Sequence, residues 1–91
     1  MPGVEIKDKI KELDVVVLTR DLPELGLVAG DMGTIVMLYG ADEGRPAEGY
    51  ELEVVAADGR TVALTTVAAD AVRPRRANEI LHARELAAGV A

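Results

Sequence analysis

Short apolar runs alternate with glycine-rich or charged breaks along this chain, and over most of it the breaks come too often for long helices. The stretch on which the others depend is Gly30-Asp31-Met32-Gly33-Thr34-Ile35-Val36-Met37-Leu38-Tyr39, where two glycines three apart open into a run rich in β formers. The glycines suit a tight turn, through positive φ or the close approach of another backbone, and the run after them predicts a buried strand ending near Tyr39. Before it, Leu13 to Thr19 is β-branched and predicts the first strand. Between the two, Arg20 to Ala29 carries Pro23 and Gly26, which forbid a regular element; its leucines predict an excursion pinned to the core.

Beyond Tyr39, Gly40 to Gly49 holds three glycines, Pro46 and four charges, the composition of an exposed loop. Tyr50-Glu51-Leu52-Glu53-Val54 then alternates cleanly, with Tyr50, Leu52 and Val54 facing one way and Glu51 and Glu53 the other: a half-buried strand. Asp58-Gly59 predicts a type I′ hairpin, and Arg60 to Thr66 the returning strand. Val67 to Ala71 suits a single helical turn, and Val72-Arg73 a last short strand that Pro74 stops.

The two ends read differently. Ile6, Ile10 and Leu13 stand at helical spacing in a lead-in that is either a short amphipathic helix or frayed. From Arg75 to about Ala88 helix formers dominate, and a wheel puts Ile80, Ala83, Leu86, Ala87 and Val90 on one side, Leu81 at its margin, and Asn78, His82 and Glu85 opposite. So alanine-rich a stripe needs the sheet, or a second copy of itself, to persist. The expected architecture is mainly β: a small five-stranded SH3-like barrel over residues 13–74, with a lead-in at 1–12 and a C-terminal α-helix in the tail, 75–91. The order of connection lengths suggests the SH3-like plan: long first, looped second, tight third, and a helical turn before the last strand.

The residues also carry a resemblance. Leu13-Asp14-Val15-Val16, Asp21-Leu22-Pro23-Glu24, Gly26-Leu27, Gly30, Gly33-Thr34-Ile35-Val36, Tyr50-Glu51-Leu52-Glu53-Val54 and Asp58-Gly59-Arg60-Thr61 together resemble a bacterial family of short proteins of unassigned function, over roughly residues 13–73. The resemblance implies an SH3-like barrel and a role beside a partner encoded nearby, as in toxin–antitoxin or immunity pairs. Gly30 to Val36 is also similar to the KOW motif of transcription and ribosomal factors, in which a glycine turn enters a strand.

Composition narrows the chemistry. The 91 residues suffice for one domain with one modest core, and that core is aliphatic, since Phe and Trp are absent and only Tyr39 and Tyr50 are aromatic. There is no cysteine, hence no disulfide and no thiolate metal site, and no serine; His82, the one histidine, falls on the polar side of the expected tail helix. An enzyme is therefore not expected. Gly26, Gly30 and Gly33 match neither a dinucleotide fingerprint nor a P-loop, so no cofactor is expected, and Asp42-Glu43-Gly44-Arg45-Pro46 puts a cation and a proline where calcium ligands would stand, so no metal is expected. No apolar run reaches the length of a membrane span and residues 1–12 lack a signal-peptide core, which makes the cytoplasm the expected location.

Charge points to a partner. The net charge is -6, and residues 13–74 carry eleven acids against Arg20, Arg45, Arg60 and Arg73, a local sum of -7. Such a field repels nucleic acid, with Arg73, Arg75, Arg76 and Arg84 the only basic cluster, and it either favours a basic protein or serves solubility alone. The expected function is a non-catalytic protein-binding module, the acidic partner of a basic protein such as a toxin. Its binding residues are expected to be Asp42, Glu43, Glu48, Glu51 and Glu53, with Tyr50 beside them as an anchor. The alternatives are a structural domain that dimerises through the tail helix and a KOW-like nucleic-acid-associated factor.

Overall fold

The computed structural model describes residues 10–42 and 44–86. The alternating and β-branched runs become five strands, β1 (Val15–Leu18), β2 (Met32–Tyr39), β3 (Gly49–Val55), β4 (Thr61–Ala68) and β5 (Val72–Pro74). They form one antiparallel sheet in the order β4-β3-β2-β1-β5. The expected closure into a barrel is corrected: β4 is hydrogen-bonded as a strand only to β3 and β5 only to β1, so the sheet stays open between them. The last strand is too short to do otherwise, since its three residues end at Pro74.

The inner face carries the core. Ile35 and Leu52 lie directly opposite one another and are fully buried, joined by Val16, Leu18, Leu27, Tyr50, Val54 and Val67. Each aliphatic side chain so buried contributes roughly 1.5–3 kcal/mol. Gly33 is what lets β2 approach β3 at this point, because a Cβ there would stand 2.7 Å from Leu52 Cδ1 and 2.9 Å from the Glu53 carbonyl oxygen. Gly30, at φ 97°, supplies the turn.

The excursion between β1 and β2 is pinned as its leucines predict. Pro23–Leu25 makes one 3-10 turn ended by Gly26 in the left-handed region, Leu22 and Leu25 pack on the core, and Leu27 is 1 % exposed. A second 3-10 turn, Ala69–Ala71, links β4 to β5 where a helical turn was expected. The Asp58-Gly59 hairpin differs in type. Only Gly59 has positive φ; its N–H donates to Ala56 O, and Ala56 N–H donates to Arg60 O, which makes a three-residue loop with a left-handed glycine. An Asp58 carboxylate that accepts from Arg60 N–H at 3.0 Å holds this turn without requiring positive φ at Asp58.

The lead-in, expected as either a short amphipathic helix or a frayed segment, lies mostly at residues 1–9, outside the described ones; of its last residues Ile10 enters the core, whereas Leu13 is 71 % exposed. The C-terminal helix is absent over residues 75–86, which run as an irregular strap back across one end of the sheet; Ala87 and Val90 of the predicted stripe lie outside the described residues. Polar ties outweigh a helix whose own stability is marginal. Arg73 pairs with Glu79 at 2.5 Å, Arg76 N–H donates to the same carboxylate at 2.6 Å, and Arg84 pairs with Asp31 at 2.6 Å. Among the described residues no helix is long and apolar enough to cross a membrane.

Candidate functional site

The strand alternation that buries Leu52 and Val54 turns Glu51, Glu53 and Val55 to the opposite face. Register brings neighbours to them: Met37 and Thr66 flank Glu51, and Thr34 and Leu64 flank Glu53. Three hydroxyls fix the carboxylates on this outer face. Tyr39 Oη and Thr66 Oγ1 both donate to Glu51 Oε1, at 3.1 and 2.7 Å, and Thr61 Oγ1 donates to Glu53 Oε2 at 3.0 Å. The hydrogen bond to Glu51, with a smaller contribution from desolvation, raises the Tyr39 hydroxyl above its ordinary pKa, so it stays a donor at neutral pH. Neither Glu51 nor Glu53 enters an ion pair among the described residues.

Apolar side chains surround the pair. Met37, Val55 and Leu64 are each more than half exposed, and Tyr39 is 39 % exposed. Two immobilised carboxylates among uncovered apolar groups can receive a cation and bury hydrocarbon around it.

The remaining expected residues are distributed less evenly. Asp42 closes the β2–β3 loop on Arg45, with an ion pair at 3.3 Å and backbone hydrogen bonds in both directions. Glu48 immediately precedes β3 and lies against Gly40, where a Cβ would come within 2.9 Å of the Glu48 side chain. Glu43 lies outside the described residues. Tyr50, expected beside the carboxylates, is instead 7 % exposed on the core face, where burial raises its hydroxyl pKa. The aromatic residue beside Glu51 is Tyr39, two strand positions from Met37 on the same face. Strict alternation from buried Ile35 puts Met37 and Tyr39 on the core face; the register shift between Ile35 and Met37 turns them outward, and only the β2–β3 register shows which carboxylate Tyr39 meets.

The arginine cluster expected near the tail is divided. Arg73 and Arg84 are engaged with Glu79 and Asp31, while Arg75 and Arg76 are exposed. Glu79 is held down to about 2 by the Arg73 hydrogen bond and then by Arg76 N–H. At Asp31 burial pushes the carboxyl up, yet the hydrogen bonds from Arg84 and Val28 N–H, with the charges of Arg84 and His82, outweigh it and hold the group below the ordinary carboxylate value. Nothing in the sequence signals this contact, which joins residues 53 apart. Between strap and sheet lies an open cavity of about 500 Å³, lined by Leu27, Met32, Val54, Val62, Ala83 and Leu86 among others. No group of three or more His, Asp or Glu side chains able to hold a metal ion occurs among the described residues.

Nothing among curated proteins or solved structures matches the chain. One family does, described as Domain of unknown function (DUF4926), and it matches residues 12–74, from the turn before β1 to the end of β5. All five strands and the outer face of β2, β3 and β4 fall within that span, which covers more than half of the sequence, and the chain therefore belongs to the DUF4926 family.

Proposed function

We propose that this protein is a non-catalytic binding module that docks onto a basic protein through the outer face of β2, β3 and β4. The observation that carries this reading is Glu51 and Glu53, fixed by hydroxyls and without a cationic partner among the described residues, inside a rim of exposed Met37, Tyr39, Val55 and Leu64. The net charge of -6 supports it through steering of a basic partner at long range. The absence of serine and cysteine supports a binding role over a catalytic one. The strand order, the long first connection and the 3-10 turn before β5 support an SH3-like plan in open form. A nuclease-type toxin in the bacterial cytoplasm is a partner of the required chemistry, with this chain in an antitoxin or immunity-like part.

The test is charge reversal at two exposed positions of one face. Glu51→Lys with Glu53→Lys is expected to abolish co-purification with the partner, while the circular dichroism spectrum stays that of the parent chain. Undiminished recovery with the doubly reversed chain contradicts the proposal.

A further inference from the structure

Arg84 is seated in a receptor that the rest of the fold builds without it. Its Nε donates to Asp31 Oδ1 at 2.8 Å, its Nη2 to Asp31 Oδ2 at 2.6 Å, and the same Nη2 to the Gly26 carbonyl at 2.8 Å. This is a forked pairing of guanidinium with carboxylate, extended by a third acceptor, and lysine has no geometry that reproduces it. The receptor groups are held by their own loop. Asp31 N–H donates to Val28 O at 3.0 Å, Val28 N–H returns a hydrogen bond to Asp31 Oδ2 at 2.9 Å, and Leu18 N–H donates to Asp31 O at 2.8 Å. The Gly26 carbonyl is fixed by the left-handed glycine that ends the 3-10 turn. The Asp31 side chain is 11 % exposed and that of Arg84 26 %, so the contacting groups are partly shielded although Arg84 itself lies at the surface.

The parts also differ in their place relative to the family match. Gly26 and Asp31 lie within the span shared with the family, residues 12–74, whereas Arg84 lies beyond it. Next to the notch, the open cavity presents Leu27, Met32, Val54 and Val62, and the strap's Ala83 and Leu86 face onto it.

We infer that the notch of Asp31 and the Gly26 carbonyl, with the apolar cavity beside it, is a docking site for an extended protein segment bearing an arginine among small and aliphatic residues. In this chain its own strap occupies the site, so that a partner's arginine must displace Arg84. The two surfaces meet at Val55, but the notch and cavity involve neither Glu51 nor Glu53, so this inference stands or falls independently of the function proposed for that face.

The probe is a labelled peptide of residues 79–86, capped at both ends, titrated by fluorescence anisotropy into the full-length chain. An Arg84→Ala chain is expected to bind it at least about tenfold more tightly than the parent, whose notch is filled. Adding Asp31→Asn to that variant, or lysine for arginine in the peptide, is expected to remove about tenfold or more of the affinity. Arg84→Lys, which keeps the charge but not the fork, provides a second background for the same comparisons should Arg84→Ala not fold. Failure of a folded Arg84 variant to bind the peptide, or equal binding with and without Asp31→Asn, overturns the inference and leaves Arg84 an internal clasp.

Discussion

Gly33 and Leu13 show how much of this fold turns on single backbone positions. A methyl group at residue 33 would press on Leu52 Cδ1, which has no room to move in the core, and on a backbone carbonyl of β3. Gly33→Ala is therefore expected to cost about 1–3 kcal/mol in urea unfolding, although it is the smallest substitution available. Leu13 poses the opposite case: it adopts φ 73° with its side chain 71 % exposed, while its N–H donates to Ile35 O at 2.6 Å. Leu13→Gly removes the left-handed penalty and gives up little burial, so stability is expected to hold or rise by up to about 1 kcal/mol. A loss larger than that in the same unfolding measurement contradicts the assignment. The sequence marked Gly30 and Gly33 as a turn entering a strand, and residue-level reading was right there because glycine has few other uses. It set Tyr50 beside the carboxylates although the alternation of β3 already put that side chain on the opposite face, and it missed Tyr39, which reaches Glu51 only because of the register shift in β2.

At the scale of elements, local pattern sufficed where an element is stabilised by its own periodicity. Tyr50-Leu52-Val54, the Pro23 excursion and the short strand before Pro74 were all legible, because alternation and proline act within a few residues. The tail was not. Its helical wheel rested on alanine, and the ties that replace the helix run from Arg73 to Glu79, six apart and off the helical spacing, and from Arg84 to Asp31, a contact that no local window contains. The hairpin was placed correctly and typed wrongly, since an aspartate side chain can stabilise a turn without left-handed backbone at its own position. Glu79 makes the strap's turn sensitive to acid. Its pKa is lowered from 4.5 to about 2 in the folded chain, so its contribution is present above the unfolded value and is lost as the pH falls from about 4.5 towards 2. Glu79→Gln is expected to lower the melting temperature at pH 6 and to narrow its gap to the parent chain between pH 4.5 and 2. A gap that stays constant across that window shows that the Arg73 contact contributes nothing to stability.

For the whole molecule, the sheet separates two faces of different composition. The inner face is aliphatic and continuous, and the outer one sets carboxylates among exposed apolar groups. The sequence made the first visible through composition and alternation. It showed the acidity of the second but not its organisation, which depends on the register of three strands. The excess of acid over base is a property of the chain; the concentration of unpaired carboxylate at Glu51 and Glu53 is a property of the fold. The central claim is that this face receives a basic protein, and the most direct measurement is affinity purification of the tagged full-length chain from its native cell extract, eluted in rising salt. The account predicts one stoichiometric basic protein, released as salt screens the carboxylates and absent from the eluate of the Glu51→Lys, Glu53→Lys chain. A partner retained at high salt by both chains, or one that is itself acidic, would contradict it.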